Sequence, residues 1–178
     1  MDLILWRHAQ AHVGPPGWVP DEANAARVAQ GERPELTHAE DLARCLTPKG
    51  ERQAERMAAW LNQRLPASTR VLVSPAQRTL QTAHPLARAF KVVEALNPLG
   101  DAAAHLKAAR WPQARDPVLL IGHQPTLGAL AAQLMMGLGT APPEGWGIKK
   151  GAVWWLKARE RDGLWQVTLH AVQPPDLL

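Results

Sequence analysis

Arg7 and His8 stand side by side directly behind the apolar run Leu3-Ile4-Leu5-Trp6. Such a run reads as a buried strand, so the pair falls where that strand ends. Open α/β sheets bind ligands in the crevice outside the carboxyl ends of their strands. Two later apolar runs end in the same kinds of group. Val71-Leu72-Val73 leads into Ser74-Pro75 and Arg78, and Val118-Leu119-Leu120-Ile121 leads into Gly122-His123-Gln124-Pro125. Two arginines and two histidines on one sheet edge would make a phosphate pocket with a nucleophile in it. Guanidinium groups stay charged and clamp two oxygens at once. Each residue alone has a plainer use: His8 as a hydrogen-bonded core imidazole, Arg78 as a helix-surface cation, His123 as the cap of a strand end. Their common position at strand ends favours the pocket.

Those strand ends need a sheet and the helices that cover it. Thr47 and Pro48 open a helix, the hydroxyl as N-cap and the proline preorganised for the first turn. Ala54, Met57, Ala58, Leu61 and Leu65 keep helical spacing up to Pro66. Ser74 and Pro75 repeat that start, for a helix running to about residue 90 with a bend at Pro85. Residues 91–95 read as a short strand, Asn97-Pro98-Leu99-Gly100 as a turn, and Asp101 as the cap of a helix over 102–110. Pro125 opens a helix with Leu127, Leu130 and Leu134 on one face, stopped by Gly137 and Gly139. Residues 152–157 and 165–171 form an antiparallel hairpin around Arg161-Asp162-Gly163. Strands alternating with helices imply a three-layer α/β/α sandwich with a mostly parallel sheet, made mixed by the C-terminal hairpin. Residues 10–46 form a long irregular segment with one short helix over 23–30. It follows Arg7 and His8 directly and is either a flap over the pocket or a loose insertion.

The whole chain narrows the classes. At 178 residues it is expected to be one domain over 1–178. The net charge of +4 and pI near 9.7 suit an anionic ligand. The chain has no Tyr, which excludes a tyrosyl nucleophile, and a single cysteine, Cys45, which excludes an internal disulfide and a multi-thiolate zinc site. The seven His show no ligand spacing with carboxylates, so no metal and no cofactor are expected. The four-residue apolar run before Arg7 is shorter than the roughly 7–15 residues of a signal core. The expected location is the cytoplasm.

The motifs resemble those of a known family. Leu5-Trp6-Arg7-His8-Ala9 resembles the Arg-His signature of the histidine phosphatase superfamily, the phosphoglycerate mutase-like fold. Ser74-Pro75-Ala76-Gln77-Arg78-Thr79-Leu80-Gln81-Thr82-Ala83 is similar to its second arginine motif, and Gly122-His123-Gln124-Pro125 to its second histidine motif. Asp41-x-x-Arg44-x-Leu46-Thr47-x-x-Gly50 and Lys149-Lys150-Gly151-Ala152 are similar to the short SixA-like phosphohistidine phosphatase branch. The resemblance implies a catalytic set of His8, as a nucleophile that becomes phosphorylated, with Arg7, Arg78 and His123 holding the phosphoryl oxygens. It extends the substrate-binding set to Ala9 and Gln124. A carbonyl or hydroxyl should hold one ring proton of His8, and the flanking cations should lower its pKa. His123 should donate to an equatorial oxygen, best when protonated.

The general acid is where the chain departs from larger relatives. Glu94 and Asp101 lie in the corresponding region, Asp101 also reading as a helix cap. Asp21, Glu22, Glu40 and Asp41 of the long segment are unplaced. A phosphohistidine substrate would manage without an acid, because its leaving group is an imidazole. The expected partner is therefore a phosphorylated protein, a histidine phosphotransfer domain or phosphocarrier. The alternatives are a small phosphomonoester or, in another class, a non-catalytic binder of anions or nucleic acid. Lys149 and Lys150 read either as a phosphate-binding or docking pair or as two solvated lysines.

Overall fold

The computed structural model describes residues 1–136 and 146–178. Its strands are β1 (Asp2–Arg7), β2 (Arg70–Val73), β3 (Lys91–Val92), β4 (Val118–Gly122), β5 (Val153–Arg161) and β6 (Leu164–Gln173). Its helices are α1 (Glu22–Ala29), α2 (His38–Ala43), α3 (Pro48–Asn62), α4 (Gln77–Ala83), α5 (Ala102–Ala109) and α6 (Thr126–Met136). The strands form one sheet in the order β3-β2-β4-β1-β5-β6. The first four are parallel, and β5 and β6 join antiparallel beside β1. The architecture is thus the mixed, mostly parallel sheet with a C-terminal hairpin that the sequence implies.

Side chains alternate across a strand, and here both faces are covered. Leu3, Leu5, Val118 and Leu120 pack against α5 and α6, while Ile4, Trp6, Leu119 and Ile121 pack against α3 and the turn after α4. A strand buried on both faces reads as a continuous apolar run, which is why β1 and β4 were legible. The register sets the functional edge. Arg7 lies opposite Gly122, and Val73 opposite Ile121. The chain therefore leaves β1, β2 and β4 side by side.

Thr47 caps α3 as expected, its hydroxyl accepting from Gly50 N at 3.0 Å. Gly50 has a second reason to be glycine: a Cβ there would lie 1.9 Å from the Gln10 carbonyl. The helix after Ser74 differs from its expectation. It starts at Gln77, ends at Ala83 and passes into a 3-10 turn, His84–Leu86, and a left-handed Ala87 (φ 51°). Pro85 stops it, having no N–H to continue the ladder and a ring that crowds the preceding turn. Strand β3 is shorter than its expected five residues. The hairpin turns through Asp162 and Gly163, both at positive φ, the geometry that two-residue hairpins favour. The expected stop at Gly137 and Gly139 lies outside the described residues.

Residues 10–46 are more ordered than expected. Besides α1, capped by Asp21, they contain α2, which the sequence reading missed. Its start carries a full capping box: Thr37 Oγ1 accepts from Glu40 N, and the Glu40 carboxylate accepts from Thr37 N. A bridge between Ala11 and Leu46 closes the ends of the segment. Among the described residues no helix is long and apolar enough to cross a membrane.

Candidate active site

At the carboxyl edge of the sheet, Arg7, His8, Arg78 and His123 line one cavity of about 710 Å³. Sheet continuity places three of them. His8 N donates to the Gly122 carbonyl at 3.1 Å, and Ser74 N to the Ile121 carbonyl at 3.0 Å. The Arg7 guanidinium donates to the Ile148 carbonyl at 2.6 Å, leaving its buried Nε without a partner. The turn before β5 is laced to the end of β1. Gly151 N lies 3.0 Å from the His8 carbonyl and 3.2 Å from the Arg7 carbonyl, and the Trp6 indole donates to the Gly151 carbonyl at 3.0 Å. Gly151 sits at φ 76°, a conformation that favours glycine.

His8 is buried, and its Nδ1 lies 2.8 Å from the Ala9 carbonyl. A carbonyl can only accept, so Nδ1 carries the proton and Nε2 keeps its lone pair. Burial, then Arg78, press the His8 pKa down to about 3, against the Ala9 bond that raises it; Arg7 and Arg44 add to the lowering. The ring is therefore neutral at ordinary pH. The second imidazole is close, with the His8 and His123 centroids 5.3 Å apart.

His123 would donate best when protonated, and here the ring is held neutral. Burial, then Arg78 and His8, push its pKa down to about 2. Arg78 donates to His123 Nδ1 at 3.3 Å. The remaining ring proton sits on Nε2 and donates to Ser74 Oγ at 2.7 Å. Ser74 Oγ is thus a support for His123 and accepts only weakly from the start of α4, from Ala76 N at 3.3 Å, while the Ser74 carbonyl accepts from Thr79 Oγ1 of that helix at 2.9 Å. Thr82 also escaped sequence reasoning. It accepts from Ala9 N at 3.1 Å and donates to the Arg78 carbonyl at 2.7 Å, tying the two arginine motifs together. A threonine four residues after Arg78 lies one helical turn on, the one signal available.

Arg78 is 3% exposed and held by α2. One terminal nitrogen donates to Asp41 Oδ2 at 2.8 Å, the other to the Asp41 carbonyl. Asp41 also accepts from Arg44 at 2.8 Å. Burial raises the Asp41 pKa, but its bonds and charge contacts with Arg44 and Arg78 outweigh it and hold the carboxylate below its usual range. Besides Asp41, the long segment places Gly31, Glu32, Arg33, Leu36 and Arg44 on the cavity wall.

The remaining candidates fall elsewhere or serve structure. Ala9 is fully buried and contributes its backbone. Gln124 lines the cavity, yet its side chain bridges Trp146 O at 2.6 Å and Ile148 N at 3.4 Å. Neither Glu94 nor Asp101 lines the cavity. Asp101 caps α5 through Ala104 N at 2.7 Å, and Glu94 is exposed on a 3-10 turn. Thus the only carboxylates on the cavity wall, among the described residues, are Glu32 and Asp41.

Known proteins resemble this chain in sequence and fold. The structure of the protein histidine phosphatase SixA complexed with tungstate is similar at 27% identity and a TM-score of 0.67, over 99% of each chain. A Nakamurella multipartitia protein, described as a "putative phosphohistidine phosphatase SixA", shares the fold with a TM-score of 0.67 at 24% identity, over 97% of this chain and 95% of its own. An uncharacterized protein of Picosynechococcus sp. is 39% identical over 107 residues, 56% of this chain and 65% of that protein. Residues 3–98 match the histidine phosphatase superfamily, branch 1, taking in the Arg7-His8 and Arg78 motifs, and the chain belongs to that family.

Proposed function

We propose that the protein is a phosphatase working through a phosphohistidine on His8, and that its substrate is phosphohistidine in a partner protein. One arrangement carries this reading. The Nδ1 proton of His8 rests on the Ala9 carbonyl, so the bare Nε2 is the atom left to attack, within a cavity that also holds Arg7, Arg78 and His123. In-line attack forms a bond from Nε2 to phosphorus as the substrate P–N bond breaks. The departing imidazole takes a proton from solvent and leaves neutral. Water then attacks phosphorus, the P–Nε2 bond breaks, inorganic phosphate leaves, and His8 is neutral again. Through both steps negative charge is spread over three equatorial oxygens. The two guanidiniums meet that charge without reorganising, and α6 begins just behind His123 with its positive end at the same edge.

The carboxylates support an imidazole leaving group over an alkoxide. Asp41 is bound by two arginines and held ionised, so it is a poor proton donor. Val13 and Leu99 line the cavity while 50% and 78% exposed, apolar surface that suits a protein-borne phosphate. A small phosphomonoester is the second reading, favoured by a cavity volume in the range of small-molecule sites. The test is a substrate panel. A phosphohistidine phosphotransfer domain should be turned over far faster than p-nitrophenyl phosphate or phosphoserine. Faster turnover of the simple esters would favour the second reading. No turnover of any of them, with salt-sensitive anion or nucleic-acid binding, would make the protein a binder.

A further inference from the structure

Beyond the groups that would hold a phosphoryl group, the cavity carries cations the proposed chemistry does not use. Among the described residues five line it, Arg7, Arg33, Arg44, Arg78 and Lys150, against two carboxylates, Glu32 and Asp41. With His8 and His123 neutral, and counting only these side chains, that is a surplus of three positive charges. A phosphoryl dianion offsets two.

The surplus has an address. Arg44 and Arg78 share Asp41. Arg33 and Lys150 have no carboxylate partner among the described residues. Their neighbours explain why. The acids flanking Arg33 are both taken by Arg27, which pairs with Glu32 at 3.6 Å and Glu35 at 3.1 Å. The same Arg27 donates to the Arg33 carbonyl at 3.0 Å, and Glu35 N donates to Asn24 at 2.7 Å, so the loop is tied down around Arg33. Lys149 reaches away to Asp176 at 3.8 Å, while Lys150 faces the cavity. Lys150 sits on the turn that Trp6, Arg7 and His8 hold by backbone and indole bonds. Burial, then Arg7, Arg44 and Arg33, press its ammonium below its usual pKa, the signature of crowded like charge.

We propose that Arg33 and Lys150 form a second anion subsite beside the phosphoryl site, and that the substrate carries a carboxylate or a second phosphate within reach of the transferred phosphoryl group. This rests on the phosphoryl-site reading above. It adds a selectivity that reading does not contain. The anion could come from an acidic residue next to a phosphorylated side chain, or from a small molecule with two anionic groups.

The test compares matched ligands by calorimetry at low salt, so that it does not depend on turnover. Phosphonoacetate and 3-phosphonopropionate should bind the wild-type protein about fivefold or more tighter than ethylphosphonate and propylphosphonate, the scale of one or two partly exposed ion pairs. The ratio should fall towards one in the double variant Arg33→Gln/Lys150→Gln, and in high salt. Equal affinities in the wild type, or a ratio the double variant leaves intact, would overturn the subsite alone. Failure of every phosphonate to bind would overturn the phosphoryl site itself. Peptides bearing a non-hydrolysable phosphohistidine mimic flanked by Glu or by Gln form the second arm. A larger gain from Glu in the peptide than from the carboxylate in the phosphonate identifies a protein source, and the reverse a small molecule; either gain supports the subsite.

Discussion

The cavity has two walls of different construction. One is the sheet edge, where Arg7 and His8 leave β1, and His123 follows β4. Arg7 N donates to the Ala152 carbonyl and His8 N to the Gly122 carbonyl, the His123 carbonyl accepts from Leu127 N of α6, and their supporting residues are buried. The other is the segment of residues 10–46, whose helices α1 and α2 bury no residue completely. Polar tethers hold that wall: Arg44 to the His12 carbonyl at 2.8 Å, and Asp41 to Arg44 and Arg78, each at 2.8 Å. Bond formation to phosphorus requires reacting atoms held close and aligned. Attraction of a charged substrate tolerates looser placement, because Coulomb energy varies slowly with distance. Changes in the sheet wall should therefore act on the chemical step, and changes in the segment wall on affinity and choice of ligand.

The largest effects should come from the sheet wall. His8→Ala should lower turnover by on the order of 10⁴-fold or more, as removal of a nucleophile does elsewhere. It should also abolish an acid-labile, alkali-stable phosphoenzyme seen in rapid quench with labelled substrate. A labelled adduct that persists in His8→Ala would move the nucleophile to another residue. Next is Arg78→Ala, where one preorganised donor set is lost. A drop in kcat of about 10²–10³-fold is expected, with a matching loss of vanadate affinity. Circular dichroism should be unchanged, because the sheet does not depend on the guanidinium. If vanadate affinity were kept, Arg78 would not be a group that holds the phosphoryl oxygens.

Asp41 is the hinge of the comparison, because it joins the two walls. Asp41→Asn removes a negative charge from beside the phosphoryl-holding arginine, yet an amide oxygen can still accept from it. Inorganic phosphate should then inhibit more strongly, by about tenfold, equivalent to roughly 1.4 kcal/mol. kcat should change less than in Arg78→Ala. Weaker phosphate inhibition would instead make Asp41 a positioning residue for Arg78, and the two walls would be one catalytic unit.

The two walls also differed in how far the sequence disclosed them. The sheet wall was legible because β1, β2 and β4 are continuous apolar runs, and the charged residues fall right behind them. Position after apolar runs singled out Arg7, His8, Arg78 and His123; resemblance to a family then supplied their proposed roles. What failed there was finer. Ser74 followed by proline looks like a helix start, and only the structure shows its hydroxyl against His123. The protonation state of His123 has no local signature, because burial, the dominant influence on it, is a tertiary property. In the segment wall the signal of α2 was present as Thr37-x-x-Glu40 and was passed over. The pairing of Asp41 with Arg78 spans 37 residues. No local pattern announces such a contact. Glu94 and Asp101 show the opposite case: proximity in sequence to the second half of the site suggests a role, and neither is among the residues that line the cavity.

The smallest expected effect concerns stability and again separates the walls. His8 and His123 are 7% and 2% exposed, and their pKa values are pressed from 6.5 to about 3 and about 2. In the unfolded chain both rings take up protons near 6.5. In the folded chain they do not until far lower pH. As pH falls below about 6.5 the unfolded state therefore binds more protons, and stability declines, by up to about 1.4 kcal/mol per pH unit for each histidine. The contribution is fully present above pH 6.5 and is lost progressively on acidification toward pH 3. Between pH 7 and 5 ordinary carboxylates contribute little to this slope, so the urea midpoint over that range isolates the histidines. The double variant His8→Gln/His123→Gln should reduce it to the part left by buried His105, whose pKa is also lowered, while Asp41→Asn, in the segment wall, should leave the slope between pH 7 and 5 in place. Histidine ¹⁵N spectra supply the microscopic check: at pH 5.5 both rings should remain neutral, His8 with its proton on Nδ1 and His123 with its proton on Nε2. A protonated His8 at that pH would mean that burial and the cations around it do not keep its lone pair free, and the sheet wall would lose the property that sets it apart.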